Sequence, residues 1–577
     1  MGFDNDLIII NFDYNLNQII MKKTLLFIAS FLIVINTYSQ SFQLLKDISP
    51  STYYGASNTI VKFYEYNAKV YFAISNGTIN GVYSTDGTAN GTVLLSNTAS
   101  YQSSYSDITY KGSFIGLGSN VYFTASDPTN GEELWVTDGT PTGTQLFKDI
   151  NPGVANSNIL IHGVVNNKLV FWADDGVNGA KLWVTDGTLA GTFILSNTAF
   201  YAGYIPTRED NHVTNGFMYF FASSSAGTEP WKTDGTIAGT SMIKDINIGT
   251  GASGLQETSK FISYNNKMYF SATSSNAAVS SELWETDGTA NGTQLAVDIY
   301  PGGIGSRIRD MITFNNKIYL VADKLGMSNG KFSLISTDGT PSGTAVIDTV
   351  FKPNVTHFPK LTVFNNEIYL MDKYQNTTNQ LFKLNSNNEL VVIESLSGVP
   401  MAGLVAGSYS YFEEYDNKLW FVASSNASYS YIWNTDGTTV GTQQITPVNG
   451  SEYFGGYRNN LKSTSLGLFT VGFTAAYGIE VWIYKSTATS INENKNQQFN
   501  FSVYPNPAKE ILYIKLNNDL LALQSSIKIT NLLGENIISE IITSNNFTIN
   551  TNNLKNGVYF VTIENKDVKS TQKIIIE

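Results

Sequence analysis

Apolar residues in this chain fall in short runs broken by Asn, Gly and Asp. One stretch shows the whole pattern: Phe261-Ile262-Ser263-Tyr264, a turn at Asn265-Asn266, then Lys267-Met268-Tyr269-Phe270-Ser271-Ala272. Glu282-Leu283-Trp284-Glu285-Thr286-Asp287-Gly288 follows, and after a short loop comes 293–299. Each piece has strand length and turn-forming borders, so the pattern predicts four strands, A to D. Strand B is apolar at consecutive positions, as in Leu169-Val170-Phe171-Trp172-Ala173. A strand with one wet face alternates; consecutive apolar residues predict that both faces are covered.

The pattern recurs. Thr-Asp-Gly places its Asp at Asp86, Asp138, Asp186, Asp234, Asp287, Asp338 and Asp436, with gaps of 52, 48, 48, 53, 51 and 98. The long gap holds a degraded copy, Leu381-Phe382-Lys383-Leu384-Asn385, and Glu480-Val481-Trp482-Ile483-Tyr484-Lys485 is a last copy that has lost the turn. A four-stranded sheet repeated about every 50 residues and covered on both faces predicts an all-β, closed β-propeller. The position three before the turn Asp is always large and apolar: Tyr83, Trp135, Trp183, Trp231, Trp284, Ile335, Phe382, Trp433 and Trp482. These are expected to hold neighbouring blades together; an aromatic row stacking on sugars is the alternative. Strand D occurs first at 42–48, before any strand A, and the last copy lacks one. The N-terminal strand is therefore expected to complete the last blade and remove the open sheet edge. The count is nine blades, with eight as the alternative.

Glu133-Leu134-Trp135-Val136-Thr137-Asp138-Gly139-Thr140-Pro141-Thr142-Gly143-Thr144 resembles the ELW-x-x-D-G-T-x-x-G-T repeats of bacterial secreted proteins. That family is defined by its repeat, so the resemblance implies architecture and no particular activity. A looser similarity to the Asp-box turns of sialidase-type propellers lacks the Ser-x-Asp-x-Gly-x-x-Trp order.

The two ends differ from the repeats. Residues 1–20 fit no targeting pattern and read as a mis-called N-terminal extension. Met21-Lys22-Lys23, an apolar run over 25–35 and Thr37-Tyr38-Ser39 have the order of a secretory signal peptide, assigned to 21–39. The run is about half of the ~20 residues a membrane-spanning helix needs, and no transmembrane segment is expected in the mature chain. The repeat domain then covers 40–485 and a polar linker 486–500. Residues 501–577 carry short alternating segments at 511–516, 526–531, 536–542, 547–550, 557–564 and 571–576, which predict a small β-sandwich. This last segment resembles the type A C-terminal sorting domain of the Bacteroidetes type IX secretion system. The resemblance rests on Tyr504-Pro505-Asn506-Pro507, Ile529-Thr530-Asn531-Leu532-Leu533-Gly534, Leu554-Lys555-Asn556-Gly557-Val558-Tyr559 and Lys573-Ile574-Ile575-Ile576. It implies the type IX machinery as a partner and a secreted or outer-membrane cell-surface location.

Composition narrows the chemistry. Cysteine is absent, which excludes thiol nucleophiles, disulfides and Cys-ligated metals; a three-His site would need all of His162, His212 and His357. A net charge of −12 makes nucleic acid an unfavourable partner. The seven Asp-Gly-Thr loops read as turns in which Asp bonds backbone N–H groups and Gly supplies positive φ. A weak calcium site is the alternative, although each loop offers one carboxylate. Asp47, Asp149, Asp245 and Asp298, which close strand D, read as turns as well. The A–B turns and C–D loops share one end of the sheets, so the variable B–C and D–A connections at the other end are expected to carry binding. Two D–A connections hold charge: Arg208, Glu209, Asp210 and His212 in one, Arg307, Arg309 and Asp310 in the other. Glu413, Glu414 and Asp416 are expected to be solvated. No catalytic residue is assigned. The leading expectation is a secreted propeller that binds a glycan or a protein; a carbohydrate lyase or hydrolase and a structural surface-layer component are the alternatives.

Overall fold

The computed structural model describes residues 42–48, 59–75, 80–97, 114–196, 198, 212–253, 260–276, 280–302, 305–323, 332–351, 360–374, 378–393, 412–426, 429–445, 453–454, 461–474, 476–486, 501–516, 526–531, 535–541, 546–564 and 569–576. The extension at 1–20, the leader at 21–39, the linker beyond 486 and Gly534 lie outside the described residues. Contacts within the chain separate a body ending at Ser486 from one that begins at 487.

Every regular element described is a β-strand. In the first body six sheets have four strands each, paired antiparallel in chain order. An example is Leu160–Val165, Lys168–Asp174, Ala180–Thr185 and Phe193–Ser196. An eight-stranded sheet is two such units, joined through the single pair Phe351 and Tyr374. A five-stranded sheet combines Gln43–Lys46 with strands from the end of the body, Leu44 opposite Trp482. In chain order, then, units one to five end near Ser96, Lys148, Ser196, Met242 and Val297. Units six to eight end near Phe351, Val392 and Gln444, and the ninth runs to Tyr484 with 43–46 as its outer strand.

The A–B turns are tight because Asn tolerates the left-handed region. Asn166 and Asn167 have φ of 47° and 56°, and Asn265 and Asn266 have 47° and 60°. Strand B is covered on both faces: Leu169, Val170, Phe171 and Ala173 are all buried. The two faces join different clusters, Phe171 packing with Trp183 and Ile115 while Val170 packs with Trp231 and Phe220. The large residue before each turn packs against the preceding unit. Trp135 meets Tyr71 and Val82, Trp284 meets Tyr219 and Phe221, and Trp433 meets Tyr369 and Leu381. Tyr83 of the first unit packs with Phe469, Val481 and Ile483 of the ninth. Each such burial is worth roughly 1.5–3 kcal/mol.

The second body holds two antiparallel sheets. One orders Phe501–Tyr504, Ile511–Leu516 and Asn546–Asn550; the other orders Asn536–Ile541, Ser526–Asn531, Gly557–Glu564 and Lys569–Ile576. Leu512, Ile514, Ile527, Ile529, Val561 and Ile574 form its core. In Ser526–Asn531 the alternation that identified the strand is that of inward and outward side chains, whereas Asn536–Ile541 is exposed at all but one position.

Candidate functional site

The Asp-Gly-Thr loops are closed hydrogen-bonded caps. In all seven, the Asp Oδ1 accepts the backbone N–H of the following Thr at 2.8–2.9 Å. The same oxygen accepts that Thr hydroxyl at 2.6–2.7 Å. The Thr oxygen in turn accepts the N–H of the second Gly, as Gly143 to Thr140 at 3.0 Å. A Cβ on that Gly would overlap the Asp carboxylate, which explains the motif's second Gly; the first has φ near 83° at Gly139. The hydrogen bonds to Thr hold the carboxyls of Asp86, Asp138, Asp186, Asp287, Asp338 and Asp436 below the usual carboxylate range. Among the described residues, no group of three or more His, Cys, Asp or Glu is placed to hold a metal ion.

The caps also fasten neighbouring units. Lys69 donates to the Gly139 carbonyl of the next unit at 2.7 Å, and Lys168 to that of Gly235 at 3.1 Å. Asn166 reaches the Asp234 carbonyl at 3.0 Å. A–B turns and C–D loops therefore lie at one end.

At the opposite end three buried glutamates tie down the D–A connection, and sequence reasoning passed over them. Glu133 Oε2 accepts the Ile150 N–H at 2.8 Å and the Ser157 hydroxyl at 2.6 Å. Glu229 and Glu282 accept the Ile246 and Ile299 N–H groups at 2.8 Å. Ser157 also bonds Glu132 of its own unit and Asp174 of the next. Burial pushes each of the three glutamates up to about 7, with the following Asp149, Asp245 or Asp298 raising it further. The legible signal was a constant separation: each Glu precedes its Asp by 16 residues and its Ser by 24.

Of the seven charged binding candidates, His212, Arg307, Arg309 and Asp310 are described. Arg208, Glu209 and Asp210 lie outside the described residues, as does His357; His212 begins the strand His212–Thr214. His162 is buried between Trp172 and Phe220, at 5.4 and 5.6 Å. Arg307 has φ of 37°, and it and Arg309 are partly buried. Asp310 is only 2% exposed. Its carboxylate accepts Lys260 Nζ at 2.9 Å from the fifth unit and the Leu361 N–H at 2.8 Å from the seventh, pinning three units together. Glu413 is not simply solvated: it accepts Lys462 Nζ at 3.0 Å and the Ser463 N–H at 3.0 Å. Neither role was legible, since both partners come from neighbouring units.

Two cavities are lined by described residues. One, of about 310 Å³, faces the first strands of units one to four and is lined by Tyr64, His162, Val164 and Met218 among others. The other, of about 230 Å³, is a polar crevice between the fourth and fifth units. Asn215, Tyr219, Asn265, Asn266, Lys267 and Asp287 line it. It opens at the end carrying the A–B turns, away from the D–A connections on which binding was expected.

In the second body Asn506 of the Tyr-Pro-Asn-Pro segment clamps the last strand. Its Oδ1 accepts the Ile575 N–H at 2.8 Å and its Nδ2 donates to the Lys573 carbonyl at 3.1 Å. Tyr559 is buried and its hydroxyl donates to Lys555 at 2.9 Å.

These features define an all-β protein of repeated four-stranded antiparallel sheets with a C-terminal sandwich. The family model of the secretion system C-terminal sorting domain matches residues 502–577. The chain thus carries a type IX sorting domain, and the protein is secreted to the cell surface. No curated protein sequence matches the chain. Among solved structures, it is similar to PorZ, a bacterial surface component of the type-IX secretion system of Porphyromonas gingivalis. The identity is 11% and the TM-score 0.27, over 91% of this chain and 82% of that one. The extracellular domain of a putative hybrid two-component system from B. thetaiotaomicron shows 12% identity and a TM-score of 0.28, over 90% and 72% of the two chains. The β-propeller domain of the Trilobed protease from Pyrococcus furiosus shows 11% and 0.30, over 68% and 99%. Likeness at this level says nothing about activity.

Proposed function

We propose that the repeat region closes as a nine-bladed β-propeller and serves, once exported, as a binding module for a glycan or a protein at the cell surface. Closure is supported by the cyclic packing. Every unit's large residue meets the preceding unit, Tyr83 meets the ninth, and Gln43–Lys46 supplies the ninth unit's outer strand. Lys46 reaches the Thr92 carbonyl at 2.7 Å, as Lys244 reaches that of Thr293 at 2.7 Å, so the join repeats an ordinary junction. Residues 21–39 act in this reading as a removable leader.

The observation that carries the binding reading is the open polar crevice between the fourth and fifth units. A hydrolase or lyase needs carboxyl groups facing its substrate. The Glu133, Glu229 and Glu282 carboxyls instead hold backbone N–H groups of their own connections. A glycan array probed with the full secreted protein, with released sugar measured in parallel, tests the reading. Retention of a ligand without turnover is expected. Steady release of product would replace it with an enzyme, and absence of any glycan or protein ligand would leave a structural surface component.

A further inference from the structure

We propose that the crevice between the fourth and fifth units binds a single uncharged pyranose ring of a glycan. The proposal rests on the binding reading above and gives it a place and a ligand class.

At this junction the fourth unit lacks the Asn and Lys fasteners that the first and third units use. In the first unit Asn67 reaches the Ser119 carbonyl at 3.4 Å, and in the third Asn166 reaches that of Gly216 at 2.9 Å. Lys69 and Lys168 stand two residues further on and cross to the next unit. In the fourth unit these positions are Asn215 and Phe217. Among the described residues, nothing ties the Asn215 side chain to the fifth unit, and Phe217 packs with the apolar cluster of this junction while the Lys232 ammonium lies 4.7 Å from its ring centre. Lys232, from the third strand of the fourth unit, brings its ammonium beside Gly288 of the fifth unit instead, and the crevice opens next to it at the Asn215 turn.

What lines that space suits a sugar. Asn215, Asn265 and Asn266 are exposed, and each amide sets a donor beside an acceptor, the arrangement that neighbouring ring hydroxyls require. Tyr219 brings its hydroxyl against Gly288, and Thr214 and Ser263 add two more. Tyr264 and Met268 are buried and give the floor its apolar part. The amides sit on two tight hairpin turns, Asn215 at φ of 50° in one and Asn265 and Asn266 at 47° and 60° in the other, so little backbone order is lost on binding.

Charge decides against an acidic sugar. The Lys267 ammonium is already 2.7 Å from Glu285 Oε1, and Gln294 holds the same oxygen at 2.9 Å. Among the lining residues the remaining charge is the Asp287 carboxylate, which repels a uronate and accepts from a neutral hydroxyl, while the Lys232 ammonium stands beyond it beside Gly288 and next to the Phe217 ring.

The test uses the full secreted protein on an array of neutral hexose oligosaccharides and uronate oligosaccharides, followed by titration of the best neutral binder. Neutral sugars are expected to bind and uronates at least about tenfold less well. The paired substitution Asn215→Ala and Asn266→Ala should weaken the neutral sugar about tenfold or more. Ser263→Trp, at an exposed position, should fill the crevice and abolish binding, with both variants melting like the parent. If the parent binds neutral sugars and both variants bind equally well, the placement is overturned while the binding function stands. Preference for uronates or for peptides overturns the ligand class. If the parent binds nothing, the wider reading falls with it.

Discussion

Glu65 accepts the Ser465 backbone N–H at 3.0 Å across 400 positions of the chain, and its carboxylate also takes the Ser465 hydroxyl. Glu413 holds the neighbouring Ser463 N–H from the other side. The first strand of the ninth unit is thereby gripped by carboxylates from the eighth unit and from the first.

The N-terminal strand completes that seam. Phe42 and Leu45 are each 3% exposed, Phe42 against Trp420 and Tyr484 and Leu45 beside Phe63 and Phe469. Removing residues 42–48 should destabilise the repeat region by several kcal/mol, at roughly 1.5–3 kcal/mol for each buried side chain lost. Glu65→Ala should do so by about 1–2 kcal/mol, since it leaves one N–H unpaired at a partly exposed site. Thermal or urea unfolding measures both. An unchanged melting temperature after deletion of 42–48 would refute closure through this strand.

The repeated caps make a prediction about coupling. Asp138→Ala removes two short hydrogen bonds at an exposed turn and should cost about 1 kcal/mol. Gly143→Ala should cost more, because the new methyl overlaps the Asp138 carboxylate. With Asp138 already replaced by Ala, the same Gly143→Ala change should be much milder. A double-mutant cycle reads this directly; strict additivity would show that the second Gly serves something other than the Asp side chain.

Strands, turns and their order were legible because they depend on neighbours in sequence. Leu169–Ala173 announces two covered faces, and Asn265-Asn266 announces its own turn. What depends on neighbours in space was not legible. Asp310 reads as a loop charge until Lys260 and Leu361 are seen to converge on it. Glu133 reads as part of a strand motif until its carboxyl is found under Ile150. Phe217 stands where five other units have Lys, a difference visible in the sequence but without meaning until the junctions are compared. The B–C and D–A connections were favoured for binding as variable loops on a rigid scaffold, and of their charged residues Asp310 joins three units.

Export should depend on the second body. Deleting 501–577 should leave the protein within the cell envelope, because the sorting domain occupies 502–577. Asn506→Ala should have a smaller effect in the same direction, as it frees the Ile575 N–H and the Lys573 carbonyl of the last strand. Surface labelling of whole cells with cell fractionation measures both. Normal surface display of the deletion would show that export uses another signal.

Stability should peak at mildly acidic pH. Glu133, Glu229 and Glu282 have folded values raised to about 7, chiefly by burial, from an ordinary value near 4.5. The folded state therefore binds more protons than the unfolded state between those limits. The stability these groups contribute is complete below about 4.5 and is lost as pH rises through 7. The cap residues Asp138, Asp287 and Asp436 act in the opposite sense. Their carboxyls are held low by hydrogen bonds from Thr, so their contribution is present above the ordinary carboxylate range and is lost as pH falls through their lowered values. The melting temperature should accordingly rise from strong acid to a maximum near or somewhat above pH 4.5, then decline toward pH 8. Glu282 offers the cleanest check: Oε2 accepts the Ile299 N–H while Oε1 is buried without a hydrogen bond. Glu282→Gln can keep that bond through its carbonyl and cannot ionise. It should flatten the decline between pH 5 and 8 while leaving the acid limb unchanged, and a decline as steep as the parent's would remove this glutamate from the account.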